Sequence, residues 1–203
     1  MKIGVPKEIK PQESRVGMTP GVAAQLIAAG HSVVVETNAG AGIGKLDADY
    51  VRVGASILPD ADAVFAQSDM IVKVKEPQPI ECARLRPNQI LFTYLHLAPD
   101  PEQARALMAS GCTAIAYETV VGRDGGLPLL APMSEVAGRM SAQVGAAALL
   151  APAGGRGLLM GGVPGVAPAK VVILGAGVSG KNAAEIAAGM RADVTVFDRA
   201  KAP

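Results

Sequence analysis

Residues 169–198, AKVVILGAGVSGKNAAEIAAGMRADVTVFD, decide the fold. The strand-like run AKVVIL leads straight into Gly175-Ala-Gly177-Val178-Ser179-Gly180, then an alanine-rich helix and a second strand, DVTVF, that ends on Asp198. Each part of this pattern has a mechanical task. Gly175 permits the tight turn out of the strand, Gly177 lets backbone N–H groups approach a pyrophosphate, and Gly180 lets the helix pack on the sheet. The helix N-terminus then faces the phosphates. Asp198 follows Gly175 by 23 residues, near the roughly 20-residue offset expected of the carboxylate that binds ribose hydroxyls. Glycine turns also serve packing alone, but here a strand precedes the glycines and a helix follows directly, as a dinucleotide site requires. Arg199 could accommodate a 2′-phosphate. With Asp198 at the acidic position itself, NAD is favoured over NADP.

Working outward, the 203 residues amount to more than one domain and less than two, and they can bury a sizeable core. Lys and Arg total 19 against 18 Asp and Glu, with no basic cluster, so nucleic acid is not an expected partner. Half of the residues are hydrophobic, but in short runs that charges and prolines interrupt, and none reads as a membrane span of about 20 apolar residues. The N-terminal MKIGVPKEIKP places charges where a signal peptide needs an apolar run, so secretion is not expected. Cys82 and Cys112 have no metal-like spacing and read as reduced, small core residues of a cytoplasmic protein; no metal site is expected. Trp is absent and aromatic residues make up only 3%. A core of Ala, Val, Leu, Ile and Met suits a parallel sheet covered by helices.

The first part alternates strand-like and helix-like segments. Strands are expected at Lys2 to Val5, His31 to Glu36, Met70 to Val74, Ile90 to Leu95 and Thr113 to Tyr117. Thr19-Pro20 supplies an N-cap and a first-turn proline for GVAAQLIAAG. Polar helices are expected around 47–53 and 60–67, and PEQARALMASG forms another. This alternation implies a doubly wound parallel sheet. MSEVAGRMSAQVGAAALLA, apolar at helical spacing, reads as one helix of about 18 residues. It follows the loop GRDGGLPLLAP, and the domain boundary is placed near residue 128. Gly40-Ala-Gly42-Ile-Gly44 also follows a strand. Its helix is delayed by KLDADY, and it reads as a turn.

Several polar residues stand where such strands end, and ligands bind outside those carboxyl ends. Arg15, in QESRVGMTP, offers a planar fork suited to a carboxylate, although alone it reads more readily as a surface arginine in an ion pair. Lys73 and Lys75 flank Val74, and alternation puts both on one face with Lys75 nearer the strand end. A solvated strand-end lysine is the other reading. His96, closing FTYLHLA, is suited to proton transfer near neutral pH, or to a capping or core role. His31 carries no such suggestion.

Together GVPKEIKPQESRVGMTP, VKVKEP, LFTYLHLA, AIAYETV, LPLLAPMSEVAGRMSAQVGA, GGRGLLMGGVPGV and the GAGVSG fingerprint resemble the alanine dehydrogenase family, in register from Met1 to Asp198. The related NAD(P) transhydrogenase alpha subunit shares the opening and the fingerprint but lacks the context of VKVKEP and FTYLHLA. The resemblance implies a substrate domain over residues 1–128 and an NAD-binding Rossmann domain over 129–203, expected to be incomplete after one βαβ unit. It implies NAD-dependent, reversible oxidative deamination of L-alanine to pyruvate and ammonia by a cytoplasmic homo-oligomer, a hexamer in the family. Arg15 and Lys75 would bind the substrate carboxylate and carbonyl, and His96 would be the catalytic acid/base. Ser134, Gly175, Gly177, Val178, Ser179, Gly180 and Asp198 would contact the cofactor. The departures are Gly17, where alanine is usual, and the final RAKAP. A chain stopping there is expected to leave apolar faces of the long helix and of AKVVIL uncovered. A non-catalytic fragment or half of a split enzyme is therefore the alternative expectation, beside a transhydrogenase-like NAD-binding protein.

Overall fold

Three- to five-residue apolar runs are too short to be stable alone and are satisfied by lateral pairing, which organises both parts of this chain. The structure, a computed structural model, describes residues 1–199 and divides into a unit over Met1–Val120 and a second from Val121 onward.

In the first unit six strands pair, all parallel: β1 (Lys2–Val5), β2 (Ser32–Glu36), β3 (Ser56–Leu58), β4 (Met70–Val72), β5 (Ile90–Thr93) and β6 (Thr113–Ala116). Their order is β3-β2-β1-β4-β5-β6, so the chain winds outward from β1 in one direction, returns, and winds outward in the other. The reversal between β1 and β4 is the switch point at which such sheets bind ligands. Crossovers are made by α1 (Pro20–Ala28), α2 (Asp47–Arg52), α3 (Ala61–Gln67), α4 (Pro79–Cys82) and α5 (Pro101–Ser110).

Alternation along the strands builds two cores. Ile3, Val5 and Val72 pack with Ala23 of α1 and Tyr50 of α2, while Ile71 and Leu91 pack with Val64 and Phe65 of α3 and Leu107 of α5. Adjacent residues Ile71 and Val72 thus serve opposite faces, as a doubly wound sheet demands. Two elements were not expected, and β4, β5 and β6 end one or two residues earlier than expected. β3 is an extra edge strand of three residues, too short to show a period, and α4 is a single turn after Pro79. Thr19 occupies the N-cap of α1, but its side chain makes no cap bond, whereas Asp60 and Asp100 accept from the N–H of Ala63 and Gln103 at 2.8 and 3.0 Å.

In the second unit α6 (Ala131–Ala148) is a single helix beginning two residues before the expected Met133. β7 (Lys170–Leu174) and β8 (Asp193–Phe197) pair in parallel on either side of α7 (Val178–Gly189). A Cβ on Gly138 would lie 2.2 Å from the Ser179 carbonyl oxygen, so only glycine allows α6 to approach the start of α7 this closely. Leu174 and Phe197 on the paired strands are 83% and 59% exposed, and Val136, Met140 and Val144 form an exposed apolar stripe on α6.

Candidate functional site

The regular ladder of β4 ends at Val72, although the Lys73 N–H still donates to the Phe92 carbonyl at 3.1 Å and the Tyr94 N–H to the Val74 carbonyl at 3.3 Å. Lys73 is not a solvated strand-end lysine. Its ammonium is fully buried, 2.7 Å from Glu81 Oε1 and 3.2 Å from Glu8 Oε2. The second oxygens of these carboxylates accept from the backbone N–H of Gln78 and Val74, at 2.8 and 2.7 Å. Burial pushes the Glu8 carboxyl up, against the pull of Lys73 and the Val74 N–H. The triad binds the loop after β1 to the loop after β4. Lys75 stays half-buried and makes no ion pair among the described residues.

Arg15 follows β1 in the same loop as Gly17, whose added Cβ would lie 2.5 Å from the Val72 carbonyl oxygen. The departure from the family's usual alanine thus coincides with a close backbone approach. The Arg15 guanidinium is forked onto Glu13, Nε to Oε1 at 2.8 Å and Nη2 to Oε2 at 2.5 Å. Hydrogen bonding to Arg15 holds the Glu13 carboxyl down at about 2, with Lys75 adding to the effect from further away. Glu13 occupies one edge of the fork. A hollow of about 220 Å³ beside this pair is lined by Lys7, Glu8, Ser14 and Asn38.

His96 lies three residues beyond β5, with φ +48° and its ring half-exposed. The Glu118 carboxylate, from the short turn after β6, accepts from the N–H groups of both Leu95 (3.0 Å) and His96 (2.7 Å). Glu76 Oε2 lies 3.4 Å from His96 Nδ1, and its other oxygen is paired with Lys10. Burial acts to raise Glu76, but Lys10, with His96, outweighs it and the net shift is downward. Tyr94 stacks on His96 with centroids 6.0 Å apart and stands edge-on to Tyr117 at 5.0 Å. Burial raises the Tyr94 hydroxyl, opposed by the nearby Arg15. Arg15, Lys75 and His96 are thus gathered around the ends of β1, β4 and β5 through Glu13, Tyr94 and Glu76. Of these linking residues, Glu13 has a readable i,i+2 spacing to Arg15. Glu8 and Glu118 carry no sequence signal, because each is defined only by what lies across the sheet, whereas Glu81 stands three residues after Gln78 in a capping box.

The second unit builds the glycine turn as its sequence demands. Gly175 has φ +103°, a region that side chains rarely adopt, and a Cβ on Gly180 would fall 1.8 Å from the Gly175 carbonyl oxygen. Nothing lies within 4 Å of a Cβ built on Gly177, so that side of the turn is open. Asp198 Oδ2 accepts from the Ala176 N–H at 2.5 Å, closing the loop across the ends of β7 and β8. An open groove of about 500 Å³ is lined by Leu174, Gly175, Phe197, Asp198 and Arg199. Ser134 lies one turn before Gly138 on the face of α6 that meets Ser179. Arg139 donates to Asn182 at 2.8 Å. Gly40 to Gly44 forms a short 3₁₀ turn rather than the start of a long helix.

A doubly wound sheet with polar groups at its switch point, joined in sequence to a βαβ glycine-fingerprint unit, defines an α/β protein of the dinucleotide-binding class. The alanine dehydrogenase/PNT N-terminal domain family matches residues 4–137, and its C-terminal domain family matches residues 141–203. The chain belongs to the alanine dehydrogenase/PNT family. It is 56% identical over 198 residues to the alanine dehydrogenase of Mycolicibacterium smegmatis, covering 98% of this chain and 53% of that protein. Against the Bacillus subtilis alanine dehydrogenase it is 56% identical over 199 residues, covering 98% and 52%. A solved L-alanine dehydrogenase superposes with a TM-score of 0.90 at 55% identity, covering 98% of this chain and 55% of that one. The transhydrogenase of Sinorhizobium meliloti superposes at 0.78 with 27% identity, covering 98% and 59%. The chain spans about half the length of the curated relatives it matches.

Proposed function

We propose that this chain carries the substrate grip and the dinucleotide-phosphate cradle of an NAD-dependent alanine dehydrogenase, for the reversible conversion of L-alanine, NAD and water to pyruvate, ammonium, NADH and a proton. The observation that carries this reading is the gathering of Arg15, Lys75 and His96 at the strand ends flanking the β1/β4 reversal. Among the described residues no helix is long and apolar enough to cross a membrane. A cytoplasmic homo-oligomer is part of the same reading.

In this mechanism Arg15 grips the substrate carboxylate, with Glu13 fixing the plane of the guanidinium. Lys75 holds and polarises the oxygen that becomes the carbonyl of pyruvate. Together they orient the alpha-hydrogen in a near-attack geometry. His96 takes a proton as water adds to the substrate iminium and returns one as ammonia leaves. The nicotinamide, when bound, supplies the hydride acceptor. The chain's residues fit such a group: the open side of Gly177 leaves room for a pyrophosphate, and Ser179 and Val178 present N–H groups at the start of α7. Ser134 would reach it from α6, and Asp198 would accept from the ribose hydroxyls and repel a 2′-phosphate.

The test is a hybrid that joins residues 1–198 to the remaining half of the M. smegmatis enzyme, assayed for NADH formation from L-alanine. Turnover is expected, with NAD preferred over NADP and the preference weakened by Asp198→Ala. His96→Ala should depress turnover while leaving NAD binding nearly intact. A folded, NAD-binding hybrid that leaves alanine unoxidised sinks the reading.

A further inference from the structure

His96 is a non-glycine residue in the left-handed region, φ +48°, an arrangement that persists only when its surroundings enforce it. The enforcement is visible. Two successive N–H groups, Leu95 and His96, converge on the Glu118 carboxylate, and charge-assisted bonds of this kind are the stronger sort. With the backbone held there, the ring has two further neighbours. Tyr94 covers one face, and Glu76 Oε2 lies 3.4 Å from Nδ1. That separation is long for a hydrogen bond, and Glu76 is not free to drift, because its other oxygen is paired with Lys10. The groups facing His96 are therefore Glu76 from the loop after β4, backed by Lys10 from the loop after β1, Tyr94 from its own segment, and Glu118 at its backbone.

A neutral imidazole has one N–H and one bare nitrogen, and the partner of one decides the role of the other. We propose that Glu76 is the positioning residue that fixes the His96 tautomer: it draws the proton to Nδ1 and leaves the Nε2 lone pair as the proton-exchanging atom. Lys10 acts through Glu76 by holding its carboxylate in place. The proposal deepens the alanine dehydrogenase reading and rests on it for the use to which Nε2 is put. The tautomer itself is a property of the chain without any ligand.

The experiment is imidazole ¹⁵N spectroscopy of the full ¹⁵N-labelled chain above pH 8, with no substrate or cofactor. The chain has only two histidines, so His31→Gln assigns both. His96 Nδ1 is expected at the protonated position and Nε2 at the bare one. Glu76→Ala should exchange the two resonances toward the Nε2–H form that free imidazole prefers, with the His31 signals unmoved as a check on folding. Lys10→Met, which keeps the carboxylate and removes its tether, should move the resonances part of the way. An Nε2–H tautomer in the unaltered chain overturns the proposal, as does a Glu76→Ala spectrum identical to it. In the hybrid enzyme Glu76→Ala should lower kcat with the KM for alanine nearly constant, and Glu76→Asp should restore part of the loss. A hybrid inactive on alanine, with the tautomer as expected, would remove the alanine reading and leave the Glu76 assignment standing.

Discussion

Replacing Lys73 with methionine removes one ammonium and strands two carboxylates. The side chains of Lys73, Glu81 and Glu8 are 0%, 1% and 2% exposed, so water cannot take the place of the lost charge. Methionine fills much of the space of the lysine stem, and the expected cost is therefore electrostatic rather than steric. Removing one partner from a buried pair costs about 3–5 kcal/mol. Glu8 keeps the Val74 N–H and Glu81 the Gln78 N–H, so the two losses do not add in full, and a destabilisation of about 3 kcal/mol at pH 7 is expected. With a urea slope of roughly 1–3 kcal/mol/M, that moves the midpoint down by about 1–3 M. The three tyrosines, Tyr50, Tyr94 and Tyr117, all lie in the first unit, and the chain has no tryptophan, so tyrosine fluorescence reports on that unit alone. The sign of the pH dependence follows from Glu8. Burial raises its carboxyl above the ordinary 4.5 even with Lys73 present, and without Lys73 it rises further. A carboxyl raised in the folded state loses stability as pH climbs from the unfolded value through the folded one. The deficit of the variant should therefore be larger at pH 7 than at pH 5. A midpoint shift below about 0.3 M at pH 7, or a deficit that does not shrink at pH 5, refutes the triad as a stabilising device.

Arg15→Lys keeps the charge and loses the fork on Glu13, so pyruvate binding to the hybrid enzyme should weaken despite the conservative exchange; unchanged alanine kinetics would remove Arg15 from the site. The same substitution tests Glu13: its carboxyl is depressed to about 2, so the stability it contributes is present above the ordinary value of 4.5 and is lost as pH falls through about 2. With Arg15 44% exposed, that contribution should be on the order of 1 kcal/mol or less, and the difference between the two proteins should vanish at the acid end of a urea titration series. Gly180→Ala places a methyl 1.8 Å from the Gly175 carbonyl oxygen, a backbone atom that cannot step aside cheaply. It should cost about 1–3 kcal/mol in the second unit and weaken NADH binding by calorimetry, and binding equal to that of the unaltered chain would show that the turn has slack.

Local chemistry made much of this chain legible. The glycine turn of residues 175–180 is specified by conformations only glycine adopts cheaply, and the strands at Lys2, Ser32, Ile90 and Lys170 by apolar runs between turn residues. Their alternation with helices gave the doubly wound sheet. β3 was not legible, because three residues at a sheet edge carry no period and gain their identity from the β2 backbone they pair with. The burial of Lys73 was not legible either, because the carboxylates that hold it stand in the loop after β1 and in α4.

The amino-acid sequence by itself determined the elements, the glycine turn and the residue types available at the strand ends, because propensity, periodicity and backbone permissiveness act over a few neighbouring residues. Only the tertiary structure decided which charges meet: that Lys73 is buried between Glu8 and Glu81, that Glu13 takes one edge of Arg15, and that Glu118 and Glu76 hold His96 at its backbone and at Nδ1. Most of those partners come from different crossovers, up to 65 residues apart, and a hydrogen bond depends on tenths of an ångström that sequence separation does not encode.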